Sequence, residues 1–223
     1  RNLSMAWIDV RKAYDTVNHK WLKEMFSLHR FPSWIGNVIA RLCGKWNTKI
    51  TAMTRQGAET SERITFKKGL PQGDTLCPRL FTLCLNPVAW KLRASEGYRL
   101  TKPIDAKITY LLYIDDLKIY AASEGKLERV MKEVRDAMED IGLLWNERKC
   151  AVVHVKRGRF QESEEVRIGA GEVIASLRDD AQYKFLGVLE NEKQQDSLVL
   201  EEAEKEYLKR LSIVWSSSLS DYH

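Results

Sequence analysis

Leu111-Leu112-Tyr113-Ile114-Asp115-Asp116-Leu117-Lys118-Ile119-Tyr120 places two adjacent carboxylates inside an apolar, β-prone run. A strand that carries two anions gives up burial energy unless something compensates, because an unpaired buried charge costs several kcal/mol or more. A divalent metal is the usual compensation, and further ligands for it must then come from elsewhere in the chain. The pair by itself is weak evidence, since Asp179-Asp180 repeats it. Its hairpin-like, apolar setting is what separates it from that second pair.

The 223 residues, 44% of them apolar and 30% charged, describe a globular chain with one sizeable core, or one domain with an appendage. A net charge of +5 is compatible with a polyanionic partner, and surface lysines alone would give the same sum. Cysteines at 43, 77, 84 and 150 form no C-x-x-C pair, and histidines at 19, 29, 154 and 223 have no zinc-type spacing. Reduced, structural thiols and an intracellular setting are expected. No apolar run is long enough for a membrane span, and the start at Arg1 is not signal-like. That start, directly on a strand-like segment, reads as a piece of something larger.

Outward from the acidic pair, residues 3–10 read as a buried strand ending near Asp9. A helix is expected from about 16 to 29, with Val17, Trp21, Leu22, Met25 and Leu28 on one face; Asp15 is a candidate N-cap. Ser33 is a candidate cap for a second helix that Gly44 ends near Cys43. Residues 47–54 and 61–66 suggest a hairpin across Gln56-Gly57. After a Gly/Pro-punctuated loop, residues 76–93 read as an apolar helix. Two strands are expected within 107–120, with the acids near their turn. Leu127, Val130, Met131, Val134, Ala137 and Ile141 keep the helical period over 124–140. Strands follow at 150–155, 164–175 and 182–189, the second containing Gly169 and Gly171. A last helix over about 198–215 carries Ala203, Tyr207, Leu208, Leu211 and Val214. Hairpin-paired strands mixed with helices on one sheet face make an α+β fold, not an alternating βαβ nucleotide-binding one. Neither G-x-G-x-x-G nor G-x-x-x-x-G-K-[ST] is present.

If the strand ending at Asp9 neighbours the hairpin of Asp115 and Asp116, the three carboxylates meet at one sheet edge. Each alone would serve equally as a cap or a surface ion pair. Together, hard oxygen ligands without His or Cys favour Mg²⁺. Two such ions, roughly 3.5–4 Å apart, suit phosphoryl transfer. Tyr14, five residues past Asp9, can lie under a nucleotide sugar or simply fill the core. The amides between them can meet a triphosphate. In Lys67-Lys68-Gly69-Leu70-Pro71-Gln72-Gly73-Asp74-Thr75, two glycines permit close backbone approach, Pro71 stiffens the loop and Gln72 offers an amide to a sugar or base.

These segments resemble motifs of the reverse transcriptases. Asp9-x-x-Lys12-Ala13-Tyr14-Asp15 is similar to motif A. Gly69-Leu70-Pro71-Gln72-Gly73-Asp74-x-Leu76-x-Pro78-x-Leu80-Phe81 is similar to motif B, and Tyr113-Ile114-Asp115-Asp116 to motif C. Gly142-Leu143-Leu144-x-Asn146-x-x-Lys149-Cys150 resembles motif D, and Tyr183-Lys184-Phe185-Leu186-Gly187 the primer-grip motif E. The match, ordered over nearly residues 3–190, has the character of non-LTR (LINE-type) retrotransposons, with group II intron enzymes next. Thr75 and Cys77 stand where the family usually has Pro or Ser and Ser.

The resemblance implies a polymerase palm over 1–190, with part of the fingers at about 30–70, and a truncated start of the thumb over 191–223. It implies Asp9, Asp115, Asp116 and Lys149 as catalytic residues, Lys149 donating a proton to pyrophosphate. Val10, Arg11, Lys12, Ala13, Tyr14, Pro71, Gln72 and Gly73 would meet the nucleotide, Tyr14 as the gate against a ribose 2′-OH. Tyr113, Lys184, Phe185, Leu186 and Gly187 would meet the primer. Asp9, Val10, Asp115 and Asp116 would hold two Mg²⁺, with Mn²⁺ as a substitute. The partners implied are an RNA template, a DNA primer and dNTPs, without a membrane, in the nucleus and cytoplasm as part of a larger polyprotein. Competing expectations are an RNA-templated RNA polymerase, against which Tyr14 and Y-x-D-D argue, and a non-catalytic nucleic-acid-binding remnant, against which the intact acids argue.

Overall fold

The computed structural model describes residues 2–55, 57–100, 105–161, 166–167, 173–177, 183–190 and 196–216. In chain order the elements are β1 (Asn2–Ile8), α1 (Ala13–Thr16), α2 (His19–Leu28), α3 (Ser33–Cys43), β2 (Asn47–Thr48), β3 (Thr51–Thr54), β4 (Gly57–Thr60) and β5 (Ile64–Thr65). Then follow α4 (Cys77–Ala94), β6 (Tyr98–Arg99), β7 (Lys107–Ile108), β8 (Tyr110–Tyr113), β9 (Asp116–Ala121) and α5 (Glu124–Asp140). The last are a 3-10 turn (Glu147–Lys149), β10 (Ala151–Lys156), β11 (Arg159–Gln161), β12 (Val166–Arg167), β13 (Val173–Ser176), β14 (Tyr183–Phe185), β15 (Val188–Glu190) and α6 (Asp196–Trp215). Asp179-Asp180, Gln56, Gly169 and Gly171 lie outside the described residues.

β1 is the middle of a seven-stranded sheet of order β12-β13-β10-β1-β9-β8, with β11 on β10. It pairs antiparallel with both β9 and β10. Its inner residues are buried on both faces, which is why Met5-Ala6-Trp7-Ile8 is apolar throughout rather than alternating. The two-residue period still decides which neighbours each side chain meets. Ala6, Ile8, Leu117, Ile119, Ala121 and Val152 face α4 and α5 in the main core. Met5, Trp7, Ala151 and Val153 face away, into a second cluster closed by Phe185. Helices therefore cover one face, as the α+β reading requires, and the β14–β15 hairpin covers part of the other.

α5 follows the predicted face, with Leu127, Val130, Met131 and Val134 buried, and α4 buries Leu80, Phe81, Cys84, Leu85 and Val88. Pro87 lies inside α4, and the neighbouring Cys84 carbonyl accepts a hydrogen bond from the Trp21 indole N–H (3.1 Å). The long hairpin also forms, Thr51 opposite Thr60 and Asn47 opposite Thr65.

Several expectations are corrected. Asp15 lies within α1, and the N-cap of α2 is Asn18, whose side chain accepts from the Lys20 N–H (2.8 Å). On α2 the buried face is Leu22, Met25 and Phe26, while Leu28 is 51% exposed. Pro32, not Ser33, occupies the N-cap of α3. The stripe Ala203, Tyr207, Leu208, Val214 on α6 is exposed, because that helix touches the rest of the fold chiefly through β15. Among the described residues no helix is long and apolar enough to cross a membrane.

Burial therefore separates two helices with similar apolar periods. Met131→Ala on α5 should lower unfolding free energy by about 2–5 kcal/mol. Tyr207→Ala on α6 should change it by less than about 0.5 kcal/mol. Urea unfolding of both variants measures the contrast.

Candidate active site

β1 stops at Ile8, which pairs with Leu117, and β8 pairs Tyr113 with Asp116. Continuing that register by one residue sets Asp9 opposite Asp116. Asp115 lies in the β8–β9 turn, where Ile114 takes φ 59°. A β-branched residue in that region is strained by roughly 1–3 kcal/mol, a cost the surrounding strands must over-determine. Beyond Asp9 the chain is held by a bridge from Val10 to Trp145. Asn146 N–H donates to the Asp9 carbonyl (2.8 Å) and Arg11 N–H to the Leu144 carbonyl (2.8 Å), which leaves the Val10 carbonyl outside this pairing. The Asp9 N–H also meets Cys150 Sγ (3.5 Å), and burial pushes that thiol up to about 12.

Among the described residues, none of the three carboxylates has an ion pair or side-chain hydrogen bond. Burial, then the charges of Asp115 and Asp9, raise the Asp116 pKa. Burial and Asp115 likewise raise that of Tyr14. Burial raises Tyr183 most, with Cys150, Asp9 and Asp116 adding to it. The acids therefore share one uncompensated negative field that reaches both tyrosines. Among the described residues, however, no three His, Cys, Asp or Glu side chains are gathered into a preformed metal cage. An open set of oxygen donors suits a hard divalent cation that keeps waters and takes substrate phosphates as ligands instead of filling a protein cage.

Across from the acids, Tyr14, Gln72, Gly73, Asp74, Thr75, Cys77 and Pro78 line a cleft of about 570 Å³. Tyr14 stacks on the buried Phe81 (centroids 5.2 Å apart, planes 18°). The glycine loop is tied to the Tyr14 segment by Leu70 N–H to the Tyr14 carbonyl and Gly69 N–H to the Val17 carbonyl, both 2.8 Å. Gly69 has φ +88°, and a Cβ there would stand 2.9 Å from the Asp15 carbonyl oxygen, so only glycine permits the approach. His19 Nε2–H adds a third tie, to the Gly69 carbonyl (2.7 Å). Asp74 lies in the turn before α4, its side chain accepting from Leu76 N–H (2.8 Å).

The remaining expected site residues divide. Lys12 is exposed in a left-handed conformation (φ 46°) and Ala13 is buried beneath it. Arg11 pairs with Glu147 (3.4 Å). Pro71 is half-buried beside exposed Gln72 and Gly73. Lys149 is exposed on the 3-10 turn that packs against Asp9, and Tyr113 is exposed on the edge strand. In the hairpin, Phe185 is buried in the second core cluster, Lys184 pairs with Glu202 (3.1 Å), and Leu186 and Gly187 form the exposed turn. Sequence reasoning missed Phe81, His19 and Asp74 as supports, and it missed Lys118. A lysine inside an apolar strand run was the available signal for the last.

With this geometry in place, the comparisons are specific. The family model described as "Reverse transcriptase (RNA-dependent DNA polymerase)" matches residues 1–189, and the chain belongs to that family. It is 25% identical over 197 residues to the Pol polyprotein of the type-1 retrotransposable element R2 of Nasonia vitripennis, covering 86% of this chain and 18% of that protein. To the type-2 element R2DM of Drosophila melanogaster it is 24% identical over 193 residues, with 84% and 18% covered. The chain thus spans less than a fifth of these curated relatives. An apo telomerase from Candida tropicalis, truncated from its C-terminal domain, shares the fold at TM-score 0.52 and 17% identity, over 85% of this chain and 34% of that one.

The raised Asp116 pKa has a definite sign. Its protonated form is the one the fold favours, so the stability it contributes is full below the ordinary carboxylate range and is lost as pH rises through the raised value. Asp116→Asn should therefore melt higher than the wild type at pH 7, with the gap closing below about pH 4, where an ordinary Asp is protonated too. Paired thermal melts across that pH range measure it.

Proposed function

We propose that this chain is the catalytic core of an RNA-directed DNA polymerase, adding dNTPs to a primer 3′-OH on an RNA template. The observation that carries this reading is a set of three carboxylates, unpaired among the described residues, with the charge of Asp115 acting on Tyr14 in the lining of the Tyr14–Gln72 cleft. Asp9, Asp115 and Asp116, with the Val10 carbonyl, would hold divalent metal, Mg²⁺ or Mn²⁺. When bound, the metal neutralises phosphate charge and favours the attacking alkoxide. Tyr14, fixed in plane by Phe81, bounds the floor of the cleft and would exclude a ribose 2′-OH. Gln72 and Gly73, with Pro71 holding the loop, would bind the sugar and base, and the backbone from Val10 to Ala13 the triphosphate. Lys149 would deliver a proton to the leaving pyrophosphate. Tyr113, Lys184, Leu186 and Gly187 would meet the primer strand.

The charge distribution supports a nucleic-acid partner. Between residues 41 and 68, seven Lys and Arg stand against two Glu, equal to the whole net charge of +5. None of those seven cations is ion-paired among the described residues. In this reading residues 1–190 are palm with fingers at about 30–70, and 191–223 begin the thumb. The setting would be a retroelement polyprotein acting in nucleus and cytoplasm.

Primer extension on an RNA template tests the reading, with the chain alone and joined to the segments that flank the matched region in the R2 relatives. Asp9→Asn or Asp115→Asn should each cut extension by roughly 10²–10³-fold. Tyr14→Ala should raise ribonucleotide incorporation relative to dNTP by roughly 10–100-fold. Nucleic-acid binding without extension in either context would favour a non-catalytic binding role instead.

A further inference from the structure

The β14–β15 hairpin is a two-stranded sheet of its own, outside the strand order of the seven-stranded sheet. Its placement on the sheet therefore rests on side chains, and one charged contact dominates. Lys118 is 5% exposed, and its Nζ lies 2.8 Å from Glu190 Oε2. The other oxygen of the same carboxylate, Oε1, accepts from Trp7 Nε1–H (2.9 Å). The Lys118 ammonium also lies over three rings, 4.8 Å from that of Trp7, 5.5 Å from that of Tyr120 and 5.7 Å from that of Phe185. Tyr183 stacks on Trp7 (5.2 Å, 19°), so both hairpin strands take part.

The two sheet residues in this contact are not arbitrary. Trp7 and Lys118 are directly paired across β1 and β9. Trp7 precedes Asp9 by two residues and Lys118 follows Asp116 by two, so the contact grips the sheet one pleat, about 7 Å, behind the carboxylates. Glu190 is the last residue of β15, whose turn residues Leu186 and Gly187 project outward.

We propose that Lys118, Glu190 and Trp7 form a clamp that sets where the β14–β15 turn stands relative to Asp9 and Asp116, and so positions the primer end. The primer part of this proposal rests on the polymerase reading. The chemistry suits a placement device. A buried ammonium cannot be left unpaired, so the hairpin has one low-energy seat, whereas apolar contacts alone allow sliding. Lys118, Glu190 and Trp7 are positioning residues; none is assigned a contact with substrate.

Glu190→Gln keeps an acceptor for Trp7 and leaves the Lys118 charge buried without a counter-ion. Lys118→Met together with Glu190→Gln removes both charges and keeps the volume. Hydrogen exchange of the whole chain reads the seat directly. In the single variant, amides at 183–190 should exchange roughly a hundredfold faster or more, while those of β1, β9 and β10 stay protected. The double variant should return toward wild type. Affinity for a primer–template duplex with a recessed 3′ end should fall at least tenfold in the single variant and recover in the double. Affinity for the single-stranded template should not change. Equal acceleration across the whole sheet would make the pair a general stabiliser and overturn the clamp, as would unchanged exchange at 183–190. A loosened hairpin with unaltered duplex affinity would overturn the positioning role. If no form of the chain binds the duplex while exchange behaves as stated, the polymerase reading fails and the clamp stands.

Discussion

The antiparallel register of β1 with β9 is the constraint on which the rest depends. Ile8 opposite Leu117 means residue 9 stands opposite residue 116, across more than a hundred residues of chain. A slip by one would exchange the two faces of the strand. Were β9 the strand to shift, Lys118 would enter the helix-covered core without Glu190; were it β1, Ser4 would lose His154, whose Nδ1 lies 2.8 Å from its hydroxyl in the other flanking pair. Polar residues inside apolar strands thus specify one register where hydrophobicity, present on both faces of β1, does not.

The same sheet is asymmetric in what covers it. Two long helices close one face with mainly aliphatic and sulfur side chains and Phe81, in one continuous core with β1 and β9. The other face is aromatic and partly charged, and it is closed by a hairpin held through side chains. A rigid platform for the carboxylates and a separately seated hairpin suit different tasks under the proposed function: the first would hold ligands in place, the second would orient a long substrate. The three acids sit where these layers end, without an ion pair or side-chain hydrogen bond among the described residues, and burial, then the charges of Asp115 and Asp9, raise the Asp116 pKa. Electrostatic strain of this kind is tolerated at functional sites and is borne by the surrounding packing.

Much of this was legible in the chain. The apolar run of β1, the period of α5, the glycines of the Gly69–Gly73 loop and the strand setting of Asp115-Asp116 each have local physical causes. The resemblance to reverse transcriptases rests instead on the order of five motifs over nearly residues 3–190. What misled was any inference from periodicity to burial. Leu28 and the α6 stripe keep a helical period and face solvent, because a period says which residues share a face and not whether another element covers it. Phe185, expected at the primer, is buried, since its strand is docked by residues far away in sequence. Asn18 displaced Asp15 as a cap for a local reason, the insertion of a short first turn at Ala13–Thr16.

By itself the sequence determined the element types and the α+β class, since each follows from composition and order along a short stretch, and its ordered motifs over nearly residues 3–190 carried the resemblance to the family. Only the tertiary structure decided that the register sets Asp9 opposite Asp116, that Tyr14 stacks on Phe81, and that a lysine within a strand answers a glutamate 72 positions later. Those are relations between distant residues. They are set by strand register and by the requirement that every buried charge find a partner, and no local pattern encodes which partner that is.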